Sequence, residues 1–356
     1  MLHARVIPLV TVDPNAARED ELRARHQLVT VTGTSGAAIA YDYKPCQSIA
    51  VREVSIGGRR DVRCIARADT TLFAGVAGGG IAVLDIANPS ATEIVATFSM
   101  PGSELSDFAL VGTMLYAADY NTGVHAIDVS DPKQPRHVGM HPALTHSQNR
   151  RVVTSGDLLV LVNDHALSIF DIAKAGTLKP TAMHTRLRTA VGWLRGVVFE
   201  STRLHVTQGP MGVWTFDLAD PANPRPISGL EPRLDTRADQ KLICDALAHH
   251  GERLFVGTSS GIWALKLGTT LESEAFFTGP GTLRDNARGL VRDGALWFCA
   301  CEPHDHVFHI FDSSQGLRYM GRQRLSRMID RIYDLEVGNG FWIGAAGNSG
   351  VLYATY

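Results

Sequence analysis

One alternation of apolar and polar positions recurs along this chain. An apolar pair and a few small residues lead into a turn with glycine, and a second apolar run then ends on aspartate. The clearest copies are Leu72-Phe-Ala-Gly…Gly80-Ile-Ala-Val-Leu-Asp85, Leu115-Tyr-Ala-Ala…Gly123-Val-His-Ala-Ile-Asp128 and Leu204-His-Val-Thr…Gly212-Val-Trp-Thr-Phe-Asp217. A fourth runs from Leu158 to Asp171 and turns on Asn163-Asp-His; looser copies begin at Leu28, Leu254, Leu296 and Phe341. Successive copies start 42 to 50 residues apart. Two short strands around a glycine turn at that period are the mark of propeller blades. A small sheet that is apolar on both faces cannot bury them alone, so such units stack.

Each unit accommodates four strands. The repeated phrase supplies strands B and C. Strand D follows Asp-x-x-x-Pro, as in Asp85-Ile-Ala-Asn-Pro89, Asp128-Val-Ser-Asp-Pro132 and Asp217-Leu-Ala-Asp-Pro221. Proline ends strand C, and the aspartate can bond nearby backbone in the turn. Strand A precedes each leucine, as in Val62-Arg-Cys-Ile-Ala-Arg67. The fold class expected is all-β: a single β-propeller domain over residues 1–356, built of four-stranded antiparallel blades. Eight hairpins give eight blades, with seven as the alternative if Ala16–Gln27 fails to supply the first strand A. The last unit has A (about 330–337), B (341–346) and C (350–356) but no D, so an N-terminal strand at about 5–12 is expected to complete it and close the ring.

The phrases Leu115-Tyr-Ala-Ala…Val124-His-Ala-Ile-Asp-Val-Ser-Asp-Pro-Lys-Gln-Pro135 and Phe216-Asp-Leu-Ala-Asp-Pro-Ala-Asn-Pro224 resemble LVIVD repeats, a bacterial propeller family. The match is good over roughly 70–225 and decays on either side; Lys266 and Ala354 stand where the motif has Asp. The resemblance implies a propeller and carries over no catalytic residue, because the motif is structural.

Composition narrows the function classes. Apolar residues are 45% and charged residues 20%, an ordinary globular balance, and the net charge is −2. Nothing there favours a nucleic-acid duplex. No stretch approaches the roughly 18–20 apolar residues of a membrane span. Val6 to Val12, interrupted by Pro8, is too short for a secretory signal. Five cysteines without zinc-ribbon spacing fit reduced thiols. The expected location is cytoplasmic, with no membrane and no nucleic-acid partner.

Counting back from each strand B puts a polar residue at one height of strand A in seven units: Arg63, Asp107, Arg150, Arg195, Asp245, Arg288 and Tyr333, with Arg331 beside the last. Stacking alone does not demand this. One reading is a wet channel of ion pairs. The other is a central funnel lined by Arg, His and Asp that binds a small anionic molecule. There Arg63, Arg150, Arg195, Arg288 and Arg331 hold the anion, Trp193 stacks on it, and Asp107, Asp245, Tyr333 or His146 moves a proton. His304 and His306 form a His-x-His pair suited to a divalent transition metal, the one cofactor suggested.

No Gly-x-Ser-x-Gly elbow, P-loop, dinucleotide fingerprint or His-Glu-x-x-His occurs. An enzyme using this funnel would therefore be non-redox: a lyase, isomerase, cyclase or hydrolase. The alternative is a protein-interaction scaffold without catalytic activity, and fold alone does not choose between them.

Overall fold

The computed structural model describes residues 10–12, 26–31, 33–34, 49–88, 91–142, 148–164, 166–185, 193–234, 242–277, 287–293, 296–301, 307–312, 318–324, 332–338 and 340–355. Their regular structure is β throughout. No helix among them is long and apolar enough to cross a membrane.

Among the described residues, six blades take four consecutive antiparallel strands each. Blade 1 comprises Val62–Ala68, Thr71–Val76, Gly80–Asp85 and Glu93–Ser99. Blade 2 comprises Leu105–Val111, Met114–Asp119, Gly123–Asp128 and Arg136–Pro142. Blade 3 runs from Asn149 to Thr185, blade 4 from Leu194 to Leu234, blade 5 from Cys244 to Phe277 and blade 6 from Ala287 to Arg324. One more sheet is composite: Asp334–Gly338, Phe341–Ala345 and Val351–Thr355 are joined by Ile49–Arg52. These are the four-stranded blades of a β-propeller. Neither the expected eight blades nor the alternative seven are found: among the described residues six blades are built of consecutive strands, and the one further sheet is composite.

The chain forms two compact units. The first holds residues 1–38 and 144–287, with blades 3, 4 and 5. Strands B are buried on both faces; that of blade 3 is apolar from Leu158 to Val162, whereas that of blade 4 also buries His205, Thr207 and Gln208. Val160 and Val162 of blade 3 pack with Leu204, Val206 and Phe216 of blade 4. On the other side of blade 4, Val213 and Leu230 pack with Leu254, Val256 and Trp263 of blade 5.

Each outer strand of this unit carries a fifth strand in parallel. Val10–Val12 lies along Lys179–Thr185, with Val10 opposite Ala182. His26–Val31 lies along Arg225–Leu234, with His26 opposite Gly229. Gly33–Thr34 lies along Glu272–Phe277. Both N-terminal expectations are thereby overturned. The segment His26–Val31 joins blade 4 as a fifth strand instead of opening a blade, and Val10–Val12, the described part of the strand expected at about 5–12, caps blade 3 rather than completing the last sheet. An outer edge exposes unpaired backbone groups, and any short β-branched run can satisfy them.

The second unit holds residues 39–143 and 288–356. Blade 1 is sandwiched within it. Ile65, Leu72, Ala74 and Leu84 pack with Ile343, Ala345 and Val351 of the composite sheet, while Cys64, Phe73, Ile81 and Val83 pack with Leu105, Phe108 and Leu115 of blade 2. The last sheet does take its strand D from the N-terminal side, but the strand is Ile49–Arg52, antiparallel to Val351–Thr355 with Arg52 opposite Val351. Glycine is required at that junction. Gly350 sits at φ +87°, and a Cβ there would stand 2.2 Å from the Arg52 carbonyl oxygen.

The turn aspartates act as expected. Asp85, Asp128, Asp171 and Asp217 each accept a backbone N–H two residues on, at 2.8–2.9 Å. Asp128 also accepts Arg136 Nη2 at 2.5 Å, and Asp217 accepts Arg225 Nη2 at 2.8 Å, so the arginine opening strand D locks the turn. The bonds from Ser130, then from Arg136, bring the Asp128 carboxyl down to about 2.

Candidate functional site

The polar positions of strand A owe their prominence to a β-bulge. In blades 1, 3 and 5 the pairing with strand B skips one residue: Arg63, Arg150 and Asp245 respectively. In blade 4 it skips Arg195 with Gly196. A bulge leaves its extra residue out of the ladder and re-aims the side chain. Blade 2 has the bulge as well, but Ser106 occupies it; Asp107 is the next residue, opposite Ala118 and buried. The count from sequence was therefore one residue off in that blade.

In the first unit three expected residues come together. Arg195 Nε lies 3.4 Å from Asp245 Oδ1, and the Asp245 side chain is 1% exposed. The Arg195 guanidinium stands over the Trp193 ring at 5.6 Å from its centroid, while Trp193 itself is 48% exposed. Backbone holds this arrangement. Thr207 Oγ1 accepts the Gly196 amide at 2.7 Å and donates to the Asp245 carbonyl at 3.4 Å, tying the two bulges together. Gly196 permits the approach, since a Cβ there would meet Leu247 at 2.9 Å. Beneath them the Cys244 thiol is pushed up by burial, with Asp245 and Glu231 adding to the effect. Arg150 has its own carboxylate: its Nε donates to Asp164 Oδ1 at 2.8 Å, and Nη2 donates to Gln148.

In the second unit Arg63 bridges two carboxylates that sequence reasoning passed over. Its Nε donates to Asp61 Oδ2 at 2.8 Å and its Nη1 to Glu104 Oε2 at 2.7 Å. Burial works against its charge, but Asp61 and Glu104, with Tyr333 behind them, hold its pKa above the ordinary value. Asp119, 1% exposed, orients Glu104 by accepting its amide at 2.8 Å, and its other oxygen accepts the amides of Asn121 and Thr122. Tyr333 donates its N–H to Ala345 at 2.8 Å. Beside it, Asp334 Oδ2 accepts the Ile65 amide at 3.0 Å.

Glu336 is the most perturbed carboxyl of this cluster. Burial first, then repulsion from Asp334 and more weakly from Asp107, raises it to about 7 against the pull of Arg67. Arg67 lies over the Phe341 ring at 5.0 Å and fills the space that a side chain at Gly338 would take. Glu336 escaped the count from sequence because it lies three residues past the counted position of this strand, Tyr333.

Arg63, Asp107 and Tyr333 thus fall in the second unit, and Arg150, Arg195, Asp245 and Trp193 in the first. Of the arginines counted on strand A, Arg63, Arg150 and Arg195 each have a carboxylate partner. Arg288 lies on the first strand of blade 6, but its side chain is outside the described residues, as are His146, Arg331, His304 and His306. Among the described residues no three His, Cys, Asp or Glu side chains gather into a metal-binding group. Cys64 and Cys244 are buried and not joined in a disulfide.

The profile of the LVIVD repeat family matches residues 72–99 and 104–141, which are three strands of blade 1 and nearly all of blade 2. No curated protein matches the chain in sequence. Among solved structures, the computationally designed Ika8 protein aligns with a TM-score of 0.59 at 11% identity, covering 86% of this chain and all of that one. A structure of the mitotic checkpoint complex aligns with a TM-score of 0.65 at 12% identity, covering 91% of this chain and 95% of that one. At such identities the likeness is one of fold. The chain is an all-β protein of four-stranded propeller blades that carries LVIVD repeats at 72–99 and 104–141.

Proposed function

We propose that the protein is a recognition platform rather than an enzyme, and that its contact centre is Trp193 at the head of blade 4. The observation that carries this reading is the stack of Trp193 on Arg195 over buried Asp245. A large aromatic ring left half-exposed on a rigid, charge-compensated base fits the anchors of protein interfaces, where Trp and Arg dominate the binding energy. The partner presents an apolar or aromatic surface to the open face of the ring. An anion funnel is less well supported, since Arg63, Arg150 and Arg195 already neutralise carboxylates of the same chain.

The test compares wild type with Trp193→Ala in pull-downs from cells that produce the protein, alongside a thermal-shift screen with small carboxylates and phosphates. A partner retained by wild type and lost by the variant, with no shift from any anion, supports the platform. A shift with a small anion that Arg195→Ala abolishes overturns it in favour of the funnel.

One observation favours a second reading. A carboxyl that titrates near neutrality beside other charged groups is suited to acid–base work. In that reading Glu336 exchanges a proton with a small ligand in the second unit, and Glu336→Gln would abolish turnover while leaving partner capture intact.

A further inference from the structure

Blade 2 differs from its neighbours on the face of its two outer strands. His125 lies on strand C and His137 on strand D, and His125 Nδ1 stands 3.1 Å from His137 Nε2 with ring centroids 5.3 Å apart. A second bulge, between Ala126 and Ile127 in the pairing of these strands, sets His137 opposite Ile127 and leaves it diagonal to His125. Aligned on the strand C aspartate, the same two places hold Ala82 and Ile94 in blade 1, Ser168 and Pro180 in blade 3, and Trp214 and Pro226 in blade 4. In blade 5 they hold Trp263 and Ser273, joined by a 2.9 Å hydrogen bond. The diagonal contact therefore belongs to the blade, and of these five blades only blade 2 fills it with two imidazoles.

The far nitrogen of His125 is also engaged. Its Nε2 lies 3.1 Å from Thr122 Oγ1. With the Nε2 proton donated to that hydroxyl, the tautomer is set and the Nδ1 lone pair faces His137. A ring nitrogen anchored in this way is the usual outer support of a metal-bound histidine. Two nitrogens about 2.0–2.1 Å from one tetrahedral ion stand roughly 3.3 Å apart, so the observed 3.1 Å separation needs only a small turn of the rings.

We infer that His125 and His137 form a bidentate site for a divalent transition metal of the zinc, nickel or copper class, with water completing the coordination. Imidazole nitrogen favours these ions over magnesium or calcium, which prefer oxygen. The site is distinct from the Trp193 stack and does not depend on that reading.

The test is calorimetric titration of tag-free, metal-stripped protein with zinc chloride, and electron paramagnetic resonance with one equivalent of copper(II). Wild type is expected to bind one equivalent that the His125→Gln/His137→Gln double variant lacks, and copper should report two equatorial nitrogens. Thr122→Val, which frees the tautomer, should weaken zinc binding by about tenfold. The inference is overturned if wild type takes up no zinc, if the double variant keeps the full stoichiometry because other histidines bind, or if copper reports a single nitrogen. Circular dichroism melts confirm that each variant is folded before it is compared.

Discussion

The carboxylate of Asp334, in the composite sheet, accepts the backbone amide of Ile65 in blade 1 at 3.0 Å, 269 residues away in the chain. One side chain thus satisfies a donor of the neighbouring blade. Asp334→Ala leaves that donor without its acceptor and should cost about 1–3 kcal/mol, read as a lower urea midpoint. Asp334→Asn keeps a carbonyl acceptor and should lose less. An equal loss in both variants would mean that charge, not the hydrogen bond, is what matters.

Glu336 sets an alkaline limit. Its folded value of about 7 lies above its ordinary 4.5, so the folded state binds the extra proton between those values. Stability from this group is complete below about pH 4.5 and falls as pH rises towards 7. Glu336→Gln should remove that slope and raise stability at pH 8 by roughly 2–3 kcal/mol. A wild-type denaturation midpoint that stays flat from pH 5 to 8 would rule this out.

His205 sets the acid limit by the opposite logic. It is fully buried, its Nδ1 is 2.9 Å from Thr215 Oγ1, and burial brings it from 6.5 down to about 3. The unfolded chain binds the proton first as pH falls through 6.5, so stability is lost progressively from there downward. His205→Gln, which can still reach Thr215, should flatten the acid side of the profile whatever it costs at neutral pH.

Removing Arg195 leaves Asp245 buried with its closest cation gone. Arg195→Ala should destabilise the protein by roughly 3 kcal/mol, and Arg195→Ala with Asp245→Asn should recover a large part of that. Trp193→Ala should shift stability by no more than about 1 kcal/mol, because the ring is half-exposed. This contrast separates loss of partner binding from loss of fold in the functional test.

At Gly350, alanine would impose both an unfavourable φ and a collision with the Arg52 carbonyl. A loss of about 1–3 kcal/mol is expected. Hydrogen exchange should show it first at Ile49–Arg52, as local opening of that strand.

Much of the blade was legible because its signals are local. The B–C glycine turn, the Asp-x-x-x-Pro corner and the apolar run of strand B each depend on residues a few positions apart, and blades 1, 2 and 4 have their B–C hairpins where the spacing put them. The N-terminal strands were not legible. Val10–Val12, His26–Val31 and Ile49–Arg52 are all short and partly β-branched, and nothing local says whether such a run pairs parallel or antiparallel, or with which edge. At the candidate site the polar row on strand A was readable, but its partners were not. Asp61 stands two residues from Arg63, yet Glu104 reaches the same guanidinium from 41 positions on. The bulge displaced Asp107 from the row because one unpaired residue leaves no mark on an apolar pattern.

The pairing of Ile49–Arg52 with Val351–Thr355 also governs the order of assembly. Arg52 and its partner Val351 are 299 residues apart. During synthesis the strand Ile49–Arg52 emerges first and must wait, unpaired, until the other three strands of the sheet have been translated. Blades of consecutive strands can zip up from neighbouring residues as they appear, whereas this sheet closes the longest loop among the described strand pairings and makes the slowest kind of contact. Refolding should therefore show a late phase reported by Trp342, which pairs with Ala354 at the heart of that sheet. In the interval before it, the waiting edge is where a growing chain is most exposed to joining the wrong partner.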